Sequence, residues 1–276
     1  MLSIDIKTSK AIKLSLMELI NFIINRLYYI LDGRKKRRIK LDNFLDFYFK
    51  LNQKKIIIQV GGNDGINSDP IRKYLKKNKK DVTAIIFEPL DFYFKKLTKL
   101  YNKNKNIKII KSAISDKILN KKIYFIDPKI VNKMDGNGPT KGWAHGQGSF
   151  SKEVIIHWIK KNSFRGKDYS NNIDNFINSI KSETIKTKKL SNYNFTKKKI
   201  SLLLVDVQGF EFEVLKSLNW KNSPDFIIYE DDLRIYNKKS NNIRKLLRVN
   251  GYKYIGGKYD KIFSKQNISL PSFTSK

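Results

Sequence analysis

Apolar positions change their spacing along the chain. In the first fifty residues they recur at helical intervals, with Leu16, Leu19, Ile20, Ile23, Ile24, Leu27 and Leu31 near a period of 3.6. Gly33 is a stop signal for that helix, and the basic run Arg34-Lys35-Lys36-Arg37-Arg38 follows at once. Lys13, Glu18, Asn21, Asn25 and Arg26 interrupt the apolar stretch 11–31, which argues against a membrane span. A basic n-region with an apolar h-region and a small-residue cleavage site is not visible, so no secretory signal is expected. Residues 1–50 therefore read as a helical extension packed on the rest of the chain. The alternative is an interfacial helix with a polybasic anchor, which would bring peripheral membrane contact.

From residue 54 the pattern alternates strand with helix. Lys55 to Val60, Thr83 to Phe87, Ile107 to Ile110, Ile123 to Ile126, Ile200 to Val207 and Asp225 to Tyr229 are short apolar runs. Between them, Ile71 to Lys77, the stripe Leu90, Phe94, Leu97 and Tyr101, and the stripe Phe210, Val214, Leu215 and Leu218 have helical spacing. Asp69 followed by Pro70 is a helix start, the acid at the N-cap and the proline at the first turn. Ile243 to Val249 is a further helix, and Tyr252 to Ile255 and Lys261 to Ser264 are closing strands. Strands separated by single helices predict an α/β fold, a mostly parallel sheet with helices on both faces. The last two strands have no helix between them and should pair antiparallel. Residues 128–196 break the rhythm, being polar and rich in Gly, Asn and Ser, with one short helical pattern over Lys152 to Lys160. They read as an insertion or lid in a single domain covering 51–276.

Composition narrows the chemistry. The 276 residues contain no cysteine, which excludes disulfides, thiolate metal sites and cysteine nucleophiles. Two histidines, His145 and His157, exclude a histidine-rich metal cage, and no metal is expected. The formal charge of +32 would suit nucleic acid or an anionic membrane. However, only nine of the 57 basic residues are arginine, and asparagine and isoleucine are abundant too. That usage follows from an AT-rich coding sequence, whereas readers of nucleic acid favour the arginine fork. Nucleic acid is therefore not the expected partner, and a cytoplasmic location is.

The residues that carry chemistry lie at strand ends. In a doubly wound sheet the first strand–turn–helix opens at the carboxyl edge, where glycines let backbone approach a ligand. Here that turn is Gly61-Gly62-Asn63-Asp64-Gly65, and Glu88 ends the next strand, placed to accept the hydroxyls of a ribose. Asp64 and Asp69 near the helix start would repel a pyrophosphate and suit a cation. S-adenosyl-L-methionine carries an amino group, a sulfonium and a ribose, and it fits that balance better than a dinucleotide. A second motif, Leu203-Leu204-Val205-Asp206-Val207-Gln208-Gly209-Phe210-Glu211, delivers Asp206 to the same edge. Asp206 could bind the cofactor's amino group, orient an acceptor or take its proton, and Glu211 reads as a cap that braces the loop.

These motifs resemble the FkbM family of methyltransferases. The resemblance rests on Ile58-Gln59-Val60-Gly61-Gly62-Asn63-Asp64-Gly65 with Asp69-Pro70-Ile71, on Phe87-Glu88-Pro89, on Ala113-Ile114, and on Val205 to Glu211 with Glu213-Val214-Leu215-Lys216. It spans about residues 54–264. It implies a Rossmann-like class I methyltransferase fold, with a seven-stranded, mostly parallel sheet whose last strand is antiparallel. It further implies S-adenosylmethionine as cofactor and O-methylation of a glycan or other small-molecule hydroxyl. The expected cofactor-binding set is Gly61, Gly62, Asn63, Asp64, Gly65, Glu88, Pro89, Ala113, Ile114, Asp206 and Gln208. Two positions depart from the family pattern: Gln59 stands where many members carry Asp, and Gln208 where members commonly carry Glu.

Methyl transfer to an alcohol needs an aligned oxygen and a group to take its proton. Asp206 and His145 are the candidate catalytic residues. His145 lies in the glycine-rich segment Gly142 to Phe150, which suits a substrate lid, while His157 belongs to a packed helical pattern. Glu230-Asp231-Asp232 ends a strand at the same edge and reads as a solvated acidic loop. Two rivals remain: an RNA methyltransferase on the same fold, suggested by charge, and a membrane-docked cofactor-binding module with little activity, suggested by Gln208 and the basic N-terminal segment.

Overall fold

Uninterrupted apolar runs become strands buried on both faces. In the computed structural model, which describes residues 39–51, 53–67, 69–77, 80–134, 146–162, 173–193, 195, 199–231 and 233–268, these strands form the central sheet. All of the described residues fall within one unit, Ile39–Pro271. β1 (Lys55–Val60) pairs in parallel with β2 (Val82–Phe87), which pairs in parallel with β3 (Ile107–Ile110). On its other side β1 pairs with β8 (Leu202–Val205), all four of whose residues are buried. β9 (Phe226–Glu230) continues the parallel array. The strands β10 (Tyr252–Gly256) and β11 (Asp260–Lys265) form an antiparallel pair, as their sequence predicts. Among the described residues the sheet has seven strands in the order β10-β11-β9-β8-β1-β2-β3, and β11 runs against both of its neighbours.

Helices cover this sheet; the stripe read from sequence holds at Leu90, Leu97 and Tyr101, while Tyr93 is buried in place of the expected Phe94. α1 (Leu41–Lys50) buries Phe44, Leu45, Tyr48 and Phe49. Its Tyr48 hydroxyl bonds to Ser201 Oγ at 2.6 Å beside β8, and Phe44 meets Phe226 of β9 edge-on. α2 (Arg72–Lys77) follows the glycine turn. It begins at Arg72, and Asp69 caps its start as the sequence predicts: Asp69 Oδ1 accepts the Ile71 N–H at 3.0 Å, and the Arg72 N–H also bonds to this carboxylate. α3 (Asp91–Tyr101) buries Tyr93, Leu97 and Tyr101. The helix expected from Ile243 begins at Leu233 instead. Its first half, which includes Asn237, Ser240, Asn241 and Asn242, carries too few apolar residues to show a period. Residues 1–38 of the expected 1–50 extension, with the basic run, lie outside the described residues.

The segment expected to be an insertion or lid, 128–196, contributes strands and helices to a second sheet that begins before it. β4 (Ala113–Ile114), β5 (Asn120–Ile126), β6 (Gly148–Ser149) and β7 (Ile180–Lys188) form a second sheet in the order β4-β7-β5-β6. α4 (Pro128–Met134), α5 (Lys152–Asn162) and α6 (Ile173–Asn178) accompany it. Its own small core is Ile126, Val131, Ile155, Ile159 and Phe176. β7 is not legible in sequence because its two apolar residues are Ile180 and Ile185. Pairing with β5 along its length, from Asn120↔Lys186 to Ile126↔Ile180, makes it a strand. Among the described residues, no helix is long and apolar enough to cross a membrane.

Candidate functional site

The carboxyl ends of β1, β2, β8 and β9 open into one cleft of about 310 Å³, the place where parallel α/β sheets bind ligands. Its near wall is the turn after β1. The chain reverses there because Gly61, at φ 90°, lies against the carbonyl of Asp206, and because Gly62 is wedged against Ile86 and Leu97. The N–H groups of Gly61 and Gly62 both donate to the Phe87 carbonyl, at 3.0 and 3.1 Å, which ties the turn to the end of β2.

Glu88 is the second wall. It is 5% exposed, and its two oxygens accept the Asn63 N–H at 2.8 Å and the Leu90 N–H at 2.9 Å. Burial pushes its carboxyl up to about 8 against those donors, and the charge of Asp206 adds to the rise. Gly61, Gly62, Asn63, Glu88, Pro89, Ala113, Ile114, Asp206 and Gln208 all line the cleft.

Asp64 and Gly65 are not among the lining residues. The Asp64 carboxylate turns into its own loop, accepting the N–H groups of Ile66 and Asn67 and the Asn67 side chain at 2.7–2.9 Å. Gly65 packs on Leu97 and Leu100 of α3. Both hold the turn, and neither meets the cleft. His145 lies outside the described residues. His157 is half-buried on α5, beside Trp158.

The floor is the loop after β8. Gln208 holds a left-handed backbone, φ 52°, ahead of Gly209, which is uncommon for a side chain of its size. The conformation aims its amide: Nε2 donates to Asp206 Oδ1 at 2.9 Å and to Glu230 Oε2 at 2.8 Å. Ser149 of β6 donates to the Gln208 carbonyl at 2.7 Å and so pins the loop to the small sheet. Glu211 does brace the loop: its Oε1 accepts the N–H groups of Val207 and Gly209, and burial raises it to about 7. The sequence predicts a solvated acidic loop at Glu230, whereas the residue lines the cleft. Asp231 instead accepts Ser240 and Arg244.

Although the chain as a whole is basic, this floor is acidic. Asp206 opens onto the cleft, and its charge raises the carboxyls of Asp69, Glu88, Glu211, Glu230 and Asp260. Asp69 and Asp260 both rise to about 6, chiefly through burial. Gln59 Oε1, Asp69 Oδ2 and Gln208 Oε1 are buried acceptors in residues that line the cleft, and among the described residues they have no hydrogen-bond partner. Unpaired buried acceptors of this kind call for donors from a ligand, and the acids beside them call for positive charge.

The strand order, with an antiparallel strand inserted beside the last parallel one, and a ligand cleft at the carboxyl edge define a class I methyltransferase fold. The family model for the methyltransferase FkbM domain matches residues 59–254, and the chain belongs to that family.

Among solved structures it is similar to the methyltransferase FkbM from Methylobacillus flagellatus KT, with 8% identity, a TM-score of 0.46, and coverage of 82% of this chain and 48% of that one. The chain thus spans about half the length of that protein. A SAM-dependent methyltransferase from Aquifex aeolicus is similar at 10% identity and a TM-score of 0.38, covering 81% of this chain and 88% of that one. The precorrin-6y C5,15-methyltransferase from Geobacter metallireducens GS-15 is similar at 8% identity and a TM-score of 0.37, with the same coverages. No curated protein matches the chain in sequence.

Proposed function

We propose that the protein transfers a methyl group from S-adenosylmethionine to a hydroxyl oxygen of a sugar or another small polar acceptor. The observation that carries this reading is Asp206, a carboxylate at the end of a central strand that opens onto a cleft with unpaired acceptors and an acidic floor.

When bound, the cofactor supplies an electrophilic methyl group on a positively charged sulfur. Glu88 accepts hydroxyls of its ribose through lone pairs beyond those that Asn63 and Leu90 occupy. Gln59 Oε1 and Asp69 Oδ2 accept from its ammonium group, and Pro89, Ala113 and Ile114 offer apolar surface to its purine. Asp69 thus supplies the carboxylate that Gln59 lacks. Asp206 orients the acceptor hydroxyl and takes its proton, a role worth roughly 10²–10⁴ in rate. Gln208, an amide, positions and does not take protons. On this reading the small sheet and residues 146–150 form the acceptor side of the cleft.

The test is single-turnover transfer from methyl-labelled S-adenosylmethionine to a panel of mono- and oligosaccharides and to RNA. The expected result is transfer to a sugar hydroxyl, with Asp206→Asn slower by roughly 10²–10⁴. Transfer to RNA alone, or cofactor binding without turnover on any acceptor, would overturn the reading.

A further inference from the structure

Two carboxylates share one nitrogen in this cleft. Asp206 and Glu230 come from the ends of neighbouring strands, and both lie within 2.9 Å of Gln208 Nε2. Two carboxylates this close to one nitrogen are close to each other, and the charge of Asp206 raises the carboxyl of Glu230. Among the described residues, the charged groups that act on this pair are acidic. Asp260 on β11 stands opposite Glu230 in the sheet register, Glu211 begins the following helix, and Asp69 and Glu88 close the other side. Ionising both members of such a pair is disfavoured, and the pair titrates as a unit. Burial raises both groups, Glu230 well above its ordinary value.

We infer that Asp206 and Glu230 hold one proton between them, that a sulfonium ligand drives it out on binding, and that the acceptor's proton replaces it on transfer. This rests on the methyltransferase reading of the cleft. In the transfer the O–CH3 bond forms as the S–CH3 bond breaks. The electron pair of the broken bond stays on sulfur as a thioether, and the hydroxyl proton passes to the carboxylate pair. Sulfur loses one positive charge as the pair loses one negative charge, so the charge of the cleft stays balanced. Gln208 suits this cycle because its two N–H groups donate to both carboxylates whichever holds the proton. A glutamate in its place would add a third acid.

The linkage can be read without an acceptor. S-adenosylmethionine and S-adenosylhomocysteine share adenosine and amino-acid parts, so contributions from Glu88 and Asp69 cancel in the ratio of their affinities. What remains is the charge on sulfur. Calorimetric binding of both ligands would be measured from about pH 6 to about pH 9 on the wild type, Glu230→Gln and Asp206→Asn. Affinity for the homocysteine compound serves as the folding control.

In the wild type the preference for the sulfonium should rise with pH, at its steepest by up to about tenfold per unit for one proton released. Both variants, each left with a single carboxylate, should show a nearly flat ratio. A flat ratio in the wild type, or an equal slope in both variants, would overturn the inference and leave the methyltransferase reading standing. Failure of the wild type to bind either compound would overturn both.

Discussion

Gly61 and the carbonyl oxygen of Asp206 are in contact: a Cβ on Gly61 would stand 1.7 Å from that oxygen. Residues far apart in sequence thus set the shape of one cleft wall. Gly61 also sits at φ 90°, where a side chain is strained. Gly61→Ala should therefore cost more than about 3 kcal/mol, the sum of a backbone penalty and a forced separation of β1 from β8. Urea unfolding measures it, and a loss below about 1 kcal/mol would mean that the two segments part easily.

Stability should depend on pH through Glu88. Its ordinary value is 4.5 and burial carries it to about 8. Between those values the folded protein holds a proton that the unfolded chain has released. The resulting stability is present at the acid end of the window and lost as pH rises through about 8, at up to about 1.4 kcal/mol per pH unit. Glu211, Asp69 and Asp260, all raised, act in the same direction. Glu88→Gln should flatten the slope of urea stability between about pH 5 and pH 8. It should also lower stability throughout by about 1–3 kcal/mol, because one of the N–H groups of Asn63 and Leu90 loses its acceptor. An unchanged slope would assign the effect to the other acids.

Ser149 links the small sheet to the strained loop. It is 1% exposed, donates to the Gln208 carbonyl at 2.7 Å and accepts the Ser151 N–H at 3.2 Å. Ser149→Ala leaves both groups unpaired, so thermal unfolding should show a loss of about 1–3 kcal/mol. Ligand affinity should fall as well, since the backbone of Gln208 is freed to leave its left-handed conformation. Full affinity in that variant would show that the loop holds its shape unaided.

Tyr48→Phe tests the docking of α1. The hydroxyl of Tyr48 meets Ser201 Oγ in a buried bond of 2.6 Å, and the same oxygen also accepts the Ile56 N–H. Loss of the phenol should cost about 1 kcal/mol with little effect on ligand binding. A larger loss accompanied by weaker ligand binding would tie α1 to the cleft.

The charge of +32 predicts some attraction to any polyanion. Binding to random RNA should be weak and should fall by about 10³–10⁵ between 50 and 200 mM salt if six to ten phosphates are engaged. Sequence-selective binding that survives moderate salt would favour the RNA reading instead.

Strand ends were the legible part of the sequence. Glu88 and Asp206 could be placed because each closes an apolar run, and such runs become buried parallel strands. Asp69 was half legible: as a cap it accounts for one oxygen, while the oxygen left facing the cleft depends on where the helix starts. The bridge from Gln208 to Glu230 was not legible, since it depends on a backbone handedness that a glutamine does not announce. Ser149 and Tyr93 reach the site from the small sheet and from α3, and no local pattern marks them. His145 remained a sequence expectation.

The place of β11 has a consequence for synthesis. Asp260–Lys265 leaves the ribosome after both of the strands it must separate. Until then the outer edge of β9, Phe226–Glu230, has no partner, and β10 must stay clear of the gap it will border. At about 5–20 residues per second, that edge waits on the order of a few seconds. It is an apolar strand with open hydrogen-bonding groups, the kind of surface that recruits another chain. The nascent protein is therefore exposed to mispairing at the edge that β11 will cover.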